Sequence, residues 1–469
     1  MDRVRVRSGG HMARQPVTRL ERSGRRFLIR RTMHALVRGD ARMIDDPLRA
    51  QSVSFAAGCI VTVLAAVVSA VLALVRPGDT LSDAPILLAR NSGALHVRIG
   101  DTVHPVLNLA SARLIVQNPA DPVLVDDAAI DAAPRGPLVG IPGAPARIHP
   151  PLSADEITWA LCEDLASEST TLIAGRSGLA PLRPGRAVPV AARGAVTTYL
   201  LFDGRKAQVD LREGAVVRAL RLEDVTPVPV SPTLLDSVPE APAVRAPVIP
   251  DVGAPGPSAV NGLPVGSVVR VSRAVPDDSA RGEEFFVVLT GGLQRVDRVV
   301  ADLIRFTYPQ PDGEPPLLAA DVIAGVPHVE TVAIPAVPHG LSQRTRVLCA
   351  AWDPRGNQTA LLFGEAVGGA TLELAQSDSA GPNIDNIGVP AGRSVLVEAT
   401  GLAGGRGPLY LLTDHGVLHG IQDADAARHL GLTGPAVPAP WAMLAMLPRG
   451  PELSSAAASV ARDALPSTS

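Results

Sequence analysis

The chain has 469 residues, of which 46% are hydrophobic and 19% charged, and its formal net charge is −3. This hydrophobic fraction excludes global disorder, and the length indicates more than one folded unit. Only 3% of the residues are aromatic, too few for base-stacking platforms, which argues against nucleic acid as a partner. The net charge is the sum of +8 in residues 1–50 and −11 in the rest of the chain, which indicates two different environments.

The first predicted element is a basic cytoplasmic segment, residues 1–51, for which Met1 and Met12 are both candidate starts. Apolar residues from Phe27 to Val37 recur at helical spacing among arginines, which predicts an amphipathic helix. This helix can lie on anionic lipid or on the cytoplasmic domain of a partner. The candidate partner-binding residues are four arginines: Arg25, Arg26, Arg30 and Arg31.

The second predicted element is a single transmembrane helix, residues 52–76. Its apolar run, Ser52–Val75, has 24 residues without a charge and is flanked by Arg49 and Arg76. About 20 apolar helical residues cross a bilayer core, and the run is too long and starts too late for a signal peptide. A buried core helix is the alternative to this membrane anchor. Because short arginine-rich segments stay in the cytoplasm, the body is expected on the opposite side of the membrane.

Four segments of the body share one pattern, in which a strand, a turn and a second strand are followed by a helix. They are Ala94–Val116, Thr198–Leu220, Glu284–Phe306 and Leu409–Leu432. Their turns are Gly100-Asp101, Asp203-Gly204, Gly291-Gly292 and Asp414-His415-Gly416, which are hairpin signals between apolar runs. We therefore predict four small ββα-like repeats.

Two further segments resemble each other and predict a central core. Thr170–Gly175 follows Cys162, and Thr359–Gly364 follows Cys349. The predicted fold class is therefore α+β and β-rich: an N-terminal cytoplasmic helix, one transmembrane helix, and a body of four repeats around a central β core with pseudo-twofold symmetry. The predicted order in the body is repeat 1 (77–130), a first core segment (131–183), repeat 2 (184–225), a Pro-rich linker (226–258), repeat 3 (259–310), a second core segment (311–400), repeat 4 (401–435) and a C-terminal segment (436–469).

Proline and cysteine add constraints on the body. Nine prolines fall between Pro227 and Pro257, so this stretch is expected to be extended, as either a free linker or a strap along the body. A short helix is expected from about Ser454 to Ala464. Outside the cytoplasm, Cys162 and Cys349 are expected to form a disulfide that closes a loop of roughly 187 residues, worth roughly 4–5 kcal/mol; two free buried thiols are the alternative.

A search for chemistry predicts neither a catalytic nor a metal site. The chain lacks the GxxxxGK[ST], HExxH and GxSxG patterns, and a glycine turn interrupts the two histidines of His415–His419. The adjacent Glu163 and Asp164 are interpreted as helix caps or solvated faces. Asp203, Asp297, Asp302 and Asp414 are assigned to turns and helix starts.

Several segments together resemble the EccB family, a membrane component of the mycobacterial type VII (ESX) secretion system. They are Arg25–Gln51, His104–Ile115, Trp159–Asp164, Ile249–Gly253, Leu348–Trp352 and Gly388–Gly392. The resemblance implies an inner-membrane protein with a cytoplasmic N-terminus and a periplasmic body of four repeats. It also implies self-association and assembly with EccC, EccD and EccE into a complex that exports small helical proteins of the WXG type.

The family is also labelled an ATPase, which makes ATP a cofactor by label only; with no Walker motif in this chain, we expect no cofactor and a structural role. A nucleotide hydrolase with an unrecognised site is one alternative. A peptidoglycan-binding module is a weaker one.

Overall fold

A computed structural model describes residues 18–39, 47–75, 83–273, 282–310, 313–343 and 345–462. The chain divides into two compact units, residues 1–80 and 81–469.

The first unit contains two helices. Helix α1, Arg19–Arg38, begins with a capping box in which the Thr18 hydroxyl accepts from the Glu21 N–H and the Glu21 carboxylate accepts from the Thr18 N–H. It ends at Gly39, whose φ of 68° is the left-handed conformation that favours glycine. The predicted helix is confirmed, but its apolar side chains do not form one face. The consecutive residues Phe27, Leu28 and Ile29 point in different directions and are all exposed.

Helix α2, Pro47–Val75, contains the predicted anchor. Proline is tolerated at its first position because a backbone N–H there would have no acceptor within the helix, so the absence of that N–H loses no hydrogen bond. Gln51–Leu72 is long and apolar enough to cross a membrane, and its side chains are exposed to the surroundings. Arg49 lies in the first turn of α2, whereas Arg76 lies outside the described residues.

The body begins with a four-stranded sheet of order β3-β2-β1-β4. Its elements are β1 (Ile86–Ala89), β2 (Leu95–Ile99), β3 (Thr102–Pro105), α3 (Leu109–Val116), β4 (Val123–Val125) and α4 (Asp127–Asp131). The central strands β5 (Thr158–Asp164), β6 (Ser169–Gly175) and β7 (Ala180–Pro181) follow. Strands β5 and β6 form an antiparallel hairpin, which confirms Thr170–Gly175 as a core strand.

The second and third outer sheets follow along the chain. The second contains β8 (Arg186–Ala192), β9 (Thr198–Phe202), β10 (Arg205–Val209), α5 (Gly214–Leu220), β11 (Val228–Val230), α6 (Pro232–Asp236) and β12 (Glu240–Ala241). A 3₁₀ turn, Ser258–Val260, precedes the third, which contains β13 (Val268–Arg273), β14 (Gly282–Leu289), β15 (Gly292–Val296), α7 (Arg298–Thr307), β16 (Leu317–Leu318) and α8 (Ala320–Ala324).

The chain then returns to the second sheet with β17 (Gly340–Leu341), which pairs with β8, and to the centre with β18 (Val347–Asp353), β19 (Gln358–Gly364), β20 (Leu372–Glu373) and β21 (Asn386–Gly388). The central sheet has seven strands in the order β20-β21-β6-β5-β18-β19-β7. The fourth outer sheet contains β22 (Val395–Thr400), β23 (Leu409–Leu412), β24 (Leu418–Ile421), α9 (Ala424–His429), β25 (Val437–Pro440) and α10 (Trp441–Leu444), and α11 (Ser455–Ala458) follows it.

Three of the hairpins have the predicted turn, and the third turn is Thr290-Gly291, one residue earlier than predicted, because Gly292 begins β15. The unit around each hairpin is larger than predicted. A strand precedes the hairpin and pairs with it, and after the helix comes a short strand parallel to that first strand. Consequently, β11 and α6 lie within the predicted linker, β16 and α8 within the predicted second core segment, and β25 within the predicted C-terminal segment. Pro229 is compatible with β11 because β11 is an edge strand.

Two smaller predictions differ from the structure. The helix expected from Ser454 to Ala464 is one turn long, Ser455–Ala458, within the described residues. Asp302, assigned to a turn or helix start, lies in the middle of α7, while Asp297 caps α7 as predicted by accepting from the Val300 N–H at 2.9 Å.

Hydrophobic packing joins the sheets of the body in series. One cluster combines one face of the central sheet with the second and fourth outer sheets. A second cluster joins the second sheet to the third, where α5 packs against α7. A third joins α3 of the first outer unit to α9 and β23 of the fourth. The central sheet is therefore the element through which the two ends of the body are connected.

Candidate functional site

The centre of the body is the pair of strands β5 and β18, which are antiparallel neighbours. Cys162 lies directly opposite Cys349, with their Cα atoms 4.0 Å apart, and the two side chains form a disulfide. Both residues are fully buried, and they lie on the face of the sheet that carries small residues. This is the pair that the sequence predicts. It closes a loop between the two sequence-distant segments of the core.

Two tryptophans occupy the other face of the same strand pair. Trp159 precedes one cysteine by three residues and Trp352 follows the other by three, so antiparallel pairing places them opposite each other. Both are almost fully buried. The Trp159 indole N–H donates to the Pro438 carbonyl at 2.9 Å, which ties the centre to β25 of the fourth sheet.

A buried ion pair ties the centre to the second sheet. Glu163 is fully buried, and its carboxylate contacts the Arg193 guanidinium and accepts from the Ser231 N–H at 2.8 Å. Burial raises the pKa of Glu163, and the Ser231 N–H and the Arg193 charge oppose that rise. The sequence-based interpretation as a cap or solvated face is wrong for Glu163, because it lies on a strand rather than a helix. Its neighbour Asp164 pairs with Arg346.

Asp385 organises the loop between β20 and β21. Its carboxylate accepts from the Thr170 N–H at 2.7 Å, the Ser379 N–H at 2.7 Å and the Ser377 hydroxyl at 2.9 Å. Burial alone would raise the pKa of Asp385, but these hydrogen bonds outweigh burial and lower it. No motif in the sequence marks Asp385. The available signal is an acidic residue between Ile384 and Asn386, directly after a loop rich in serine and glycine.

The turn of the fourth hairpin provides another polar contact. Asp414 accepts from the Gly392 N–H at 2.8 Å and lies 2.7 Å from Nδ1 of His415, while Nε2 of His149 is 4.0 Å away. Burial opposes these contacts, but together they lower the pKa of Asp414. Within the described ranges, no three His, Cys, Asp or Glu side chains are grouped so that they could hold a metal ion.

The predicted cytoplasmic arginines lie in the first compact unit. Arg25, Arg26, Arg30 and Arg31 are all exposed on α1. Exposed apolar side chains alternate with them along the same helix, for example Leu36, which is 83% exposed. The helix therefore presents charge and apolar surface together, a composition suited to contact with a protein or a lipid surface.

A membrane-length apolar helix and a β-rich body with a buried disulfide are typical of a membrane-anchored protein with a large extramembrane domain. The model of the family "Type VII secretion system ESX-1, transport TM domain B" matches residues 14–467. The chain therefore belongs to this family, the EccB components of type VII secretion, as its sequence resemblance predicts.

Curated relatives and solved structures agree with this assignment. The chain is 35% identical to the ESX-3 secretion system ATPase EccB3 of Mycobacterium tuberculosis, over 96% of this chain and 90% of the relative. It is 36% identical to EccB3 of Mycolicibacterium smegmatis, over 96% of this chain and 91% of that relative. A chain of an intact ESX-5 inner membrane complex superimposes with a TM-score of 0.70 and 28% identity, over 98% of both chains. A chain of an EccB3 dimer from the ESX-3 core complex superimposes with a TM-score of 0.67 and 31% identity, over 81% of this chain and 100% of that chain.

Proposed function

We propose that this chain is a structural membrane subunit of a type VII secretion complex. Its head and transmembrane helix anchor it in the inner membrane, and its body self-associates and assembles in the periplasm. The observation that carries the proposal is the full-length likeness to a chain of an ESX-5 inner membrane complex. We further propose EccC, EccD and EccE as the partners, and small helical WXG-type proteins as the exported cargo. No cofactor is required for this role.

The proposed orientation places α1 in the cytoplasm and the body in the periplasm. Thirteen arginines lie in residues 1–50, and short arginine-rich segments are retained on the cytoplasmic side. The disulfide in the body supports the same orientation, because disulfides persist in oxidising compartments outside the cytoplasm.

We also propose that the body is built from four related repeats around a core with pseudo-twofold symmetry. The order strand, hairpin, helix, strand, short helix in all four outer units supports this. The central sheet adds support, because β6 and β19 flank the β5–β18 pair on either side. Each outer position is filled by a strand from the same half of the chain as the opposite hairpin: β7, after β6, pairs with β19, and β21, after β19 and β20, pairs with β6. The first pairing is antiparallel and the second is parallel, so the symmetry is approximate.

The assembly role is tested by changing the charge of the head. Replacement of Arg25, Arg26, Arg30 and Arg31 by glutamate is expected to abolish co-purification of EccC, EccD and EccE with the tagged chain from native membranes. Replacement of the same four residues by lysine keeps the charge and is the matched control. A non-reducing gel verifies that the Cys162–Cys349 disulfide still forms, and hence that the body is still exported. Undiminished co-purification of the glutamate variant would contradict the proposal.

Contact with peptidoglycan is a second candidate function, favoured by one surface feature. Trp441 is 40% exposed, in contrast to the buried tryptophans of the core, and its ring lies 5.6 Å from that of Tyr410. The Arg449 guanidinium lies 4.4 Å from the centre of the Trp441 ring. Exposed aromatic rings with a neighbouring polar group suit contact with sugars. A peptidoglycan pull-down of the full chain and of Trp441→Ala tests it, and equal retention of both would argue against this surface.

A further inference from the structure

A cavity lies beside the contact between the second and third outer units. It has a volume of about 440 Å³ and is lined by residues of α5, α7 and the β8–β17 pairing. Its charged lining consists of Arg186, Arg221, Arg298, His339 and Asp302. Asp302 is already paired with Arg305 of the same helix at 3.0 Å. The cavity therefore concentrates positive charge on a body whose overall charge is negative.

The three arginines of this cavity have no carboxylate partner among the residues that the structure describes. All three are exposed, whereas the exposed Arg346 and the half-buried Arg193 and Arg393 form ion pairs. Three unpaired guanidinium groups around one cavity repel one another, and an anion between them would remove that repulsion. Solvent and salt screen these exposed charges, but the cavity still offers three guanidinium groups without a carboxylate partner to a negatively charged ligand.

Arg186 and His339 are positioned by close contact with glycine. A Cβ atom on Gly340 would lie 2.6 Å from Nη1 of Arg186, and a Cβ on Gly185 would lie 2.6 Å from Cδ2 of His339. Residues 340 and 186 are direct partners in the β8–β17 pairing, and the His339 N–H donates to the Gly185 carbonyl at 2.7 Å. The backbone therefore holds Arg186 and His339 side by side at the cavity.

The other two arginines occupy backbone positions that arginine does not ordinarily favour. Arg221 caps the end of α5 with a φ of 56°, the left-handed conformation in which glycine is usual. Arg298 is the first residue of α7, where the helix dipole disfavours a cation. Arg298 also borders a neighbouring cavity whose lining includes Glu283, Glu284, Asp297 and Glu330, which offsets part of this cost. An anion in the cavity beside α5 would offset more of it.

We propose that this cavity binds a phosphate anion that carries at least two negative charges. Guanidinium groups bind phosphate oxygens through paired N–H donors, and three such groups match the charge and the number of oxygens of a phosphate better than those of a single carboxylate. The His339 ring adds a nitrogen that can hydrogen-bond to a phosphate oxygen. The phosphate can be free, or it can be the head of a larger phosphate-bearing molecule.

Calorimetric titration of the full-length chain in detergent micelles tests the proposal. Pyrophosphate represents a free phosphate ligand, glycerol 3-phosphate represents a phosphate head group, and citrate is a carboxylate of comparable charge. We expect one pyrophosphate or glycerol 3-phosphate to bind per chain, the tighter of the two identifying the source, and citrate to bind at least tenfold more weakly. Binding is expected to weaken as the salt concentration rises.

Four variants locate the site. Arg186→Ala and Arg298→Ala are each expected to weaken phosphate binding about tenfold or more, since each removes charge-assisted hydrogen bonds. Gly340→Ala should also weaken it, because the new methyl group displaces the Arg186 guanidinium while every charge remains. Arg147→Ala, an exposed arginine outside the cavity, is the control and should bind as the unaltered chain does.

Three results would overturn the proposal: no phosphate binding at all, equal affinity for citrate, or undiminished binding by the double variant Arg186→Ala/Arg298→Ala. Thermal unfolding of each variant, monitored by tryptophan fluorescence, verifies that a loss of binding is not a loss of fold.

Discussion

Removal of the central disulfide is expected to cause a large loss of stability. The change is the double substitution Cys162→Ala/Cys349→Ala, which keeps small apolar side chains at two fully buried positions. The two cysteines are 187 residues apart in sequence. In the chain-entropy account, opening a loop of this length frees the unfolded chain by about 5 kcal/mol, an upper value because residual structure in the unfolded state reduces it. Since whole domains are stable by about 5–15 kcal/mol, the loss is a substantial fraction of the total.

Tryptophan fluorescence of the full-length chain during urea unfolding in detergent micelles measures this loss. Trp159 and Trp352 are buried on the same two strands as the disulfide, so their emission reports the central sheet, while the partly exposed Trp441 adds a contribution from the fourth outer unit. The unfolding midpoint of the double variant should fall by more than about 1 M if the loss is about 3 kcal/mol and the slope about 2 kcal/mol per M.

The matched control is Cys59→Ala, which removes the cysteine of α2 that forms no disulfide. Its unfolding midpoint should equal that of the unaltered chain. If the double variant lost less than about 1 kcal/mol, the reasoning from loop length would be refuted, and the β5–β18 pairing would have to be maintained by its packing alone.

Three further predictions concern the turn of the second hairpin, the loop acid and the ATPase label. Gly204→Ala should destabilise the body by at least ~2 kcal/mol more than Gly194→Ala. Both glycines have left-handed φ values (73° and 76°), but only at Gly204 would a Cβ meet a backbone oxygen, at 1.9 Å. Equal losses of stability in urea unfolding would contradict the predicted clash. The pKa of Asp385 is lower in the folded chain than in the unfolded chain, so its stabilising contribution is complete above the unfolded value near 4 and is lost as pH falls below it. Asp385→Asn should therefore flatten the fall in the free energy of unfolding between about pH 5 and 3. An unchanged slope would show that other groups cause the fall. The purified full-length chain should release no phosphate from ATP above the background of a no-protein control, and turnover that follows the chain through purification would contradict a purely structural role.

Much of the fold follows from local sequence signals. The four hairpins lie at or within one residue of the predicted turns because glycine and aspartate there satisfy the backbone conformation, as at Asp203 and Gly204, whose φ values are both positive. The anchor helix follows from the length of its apolar run, and the disulfide from the presence of only two cysteines outside that run. Each of these features depends on residues that are close in sequence or few in number.

The remaining features depend on partners that are distant in sequence. From the sequence, Glu163 is interpreted as a solvated residue because nothing near it along the chain indicates its ion pair with Arg193, which directly follows β8 of the second outer sheet. The strand Val228–Val230 is predicted as linker because its proline suggests irregular structure, whereas pairing at the edge of the second sheet accommodates it. The cavity beside α5 and α7 has no signal in the sequence, because Arg186, Arg221 and Arg298 meet only once the second and third units pack together.

Purification of the tagged full-length chain from native membranes, followed by cross-linking mass spectrometry, tests the central claim most directly. If the chain is a structural subunit of a type VII secretion complex, it should co-purify with EccC, EccD and EccE, with cross-links from α1 to the cytoplasmic domains of these partners and from one body to another. A chain that purifies alone, without cross-links to any of the three partners or to a second copy, would contradict the account.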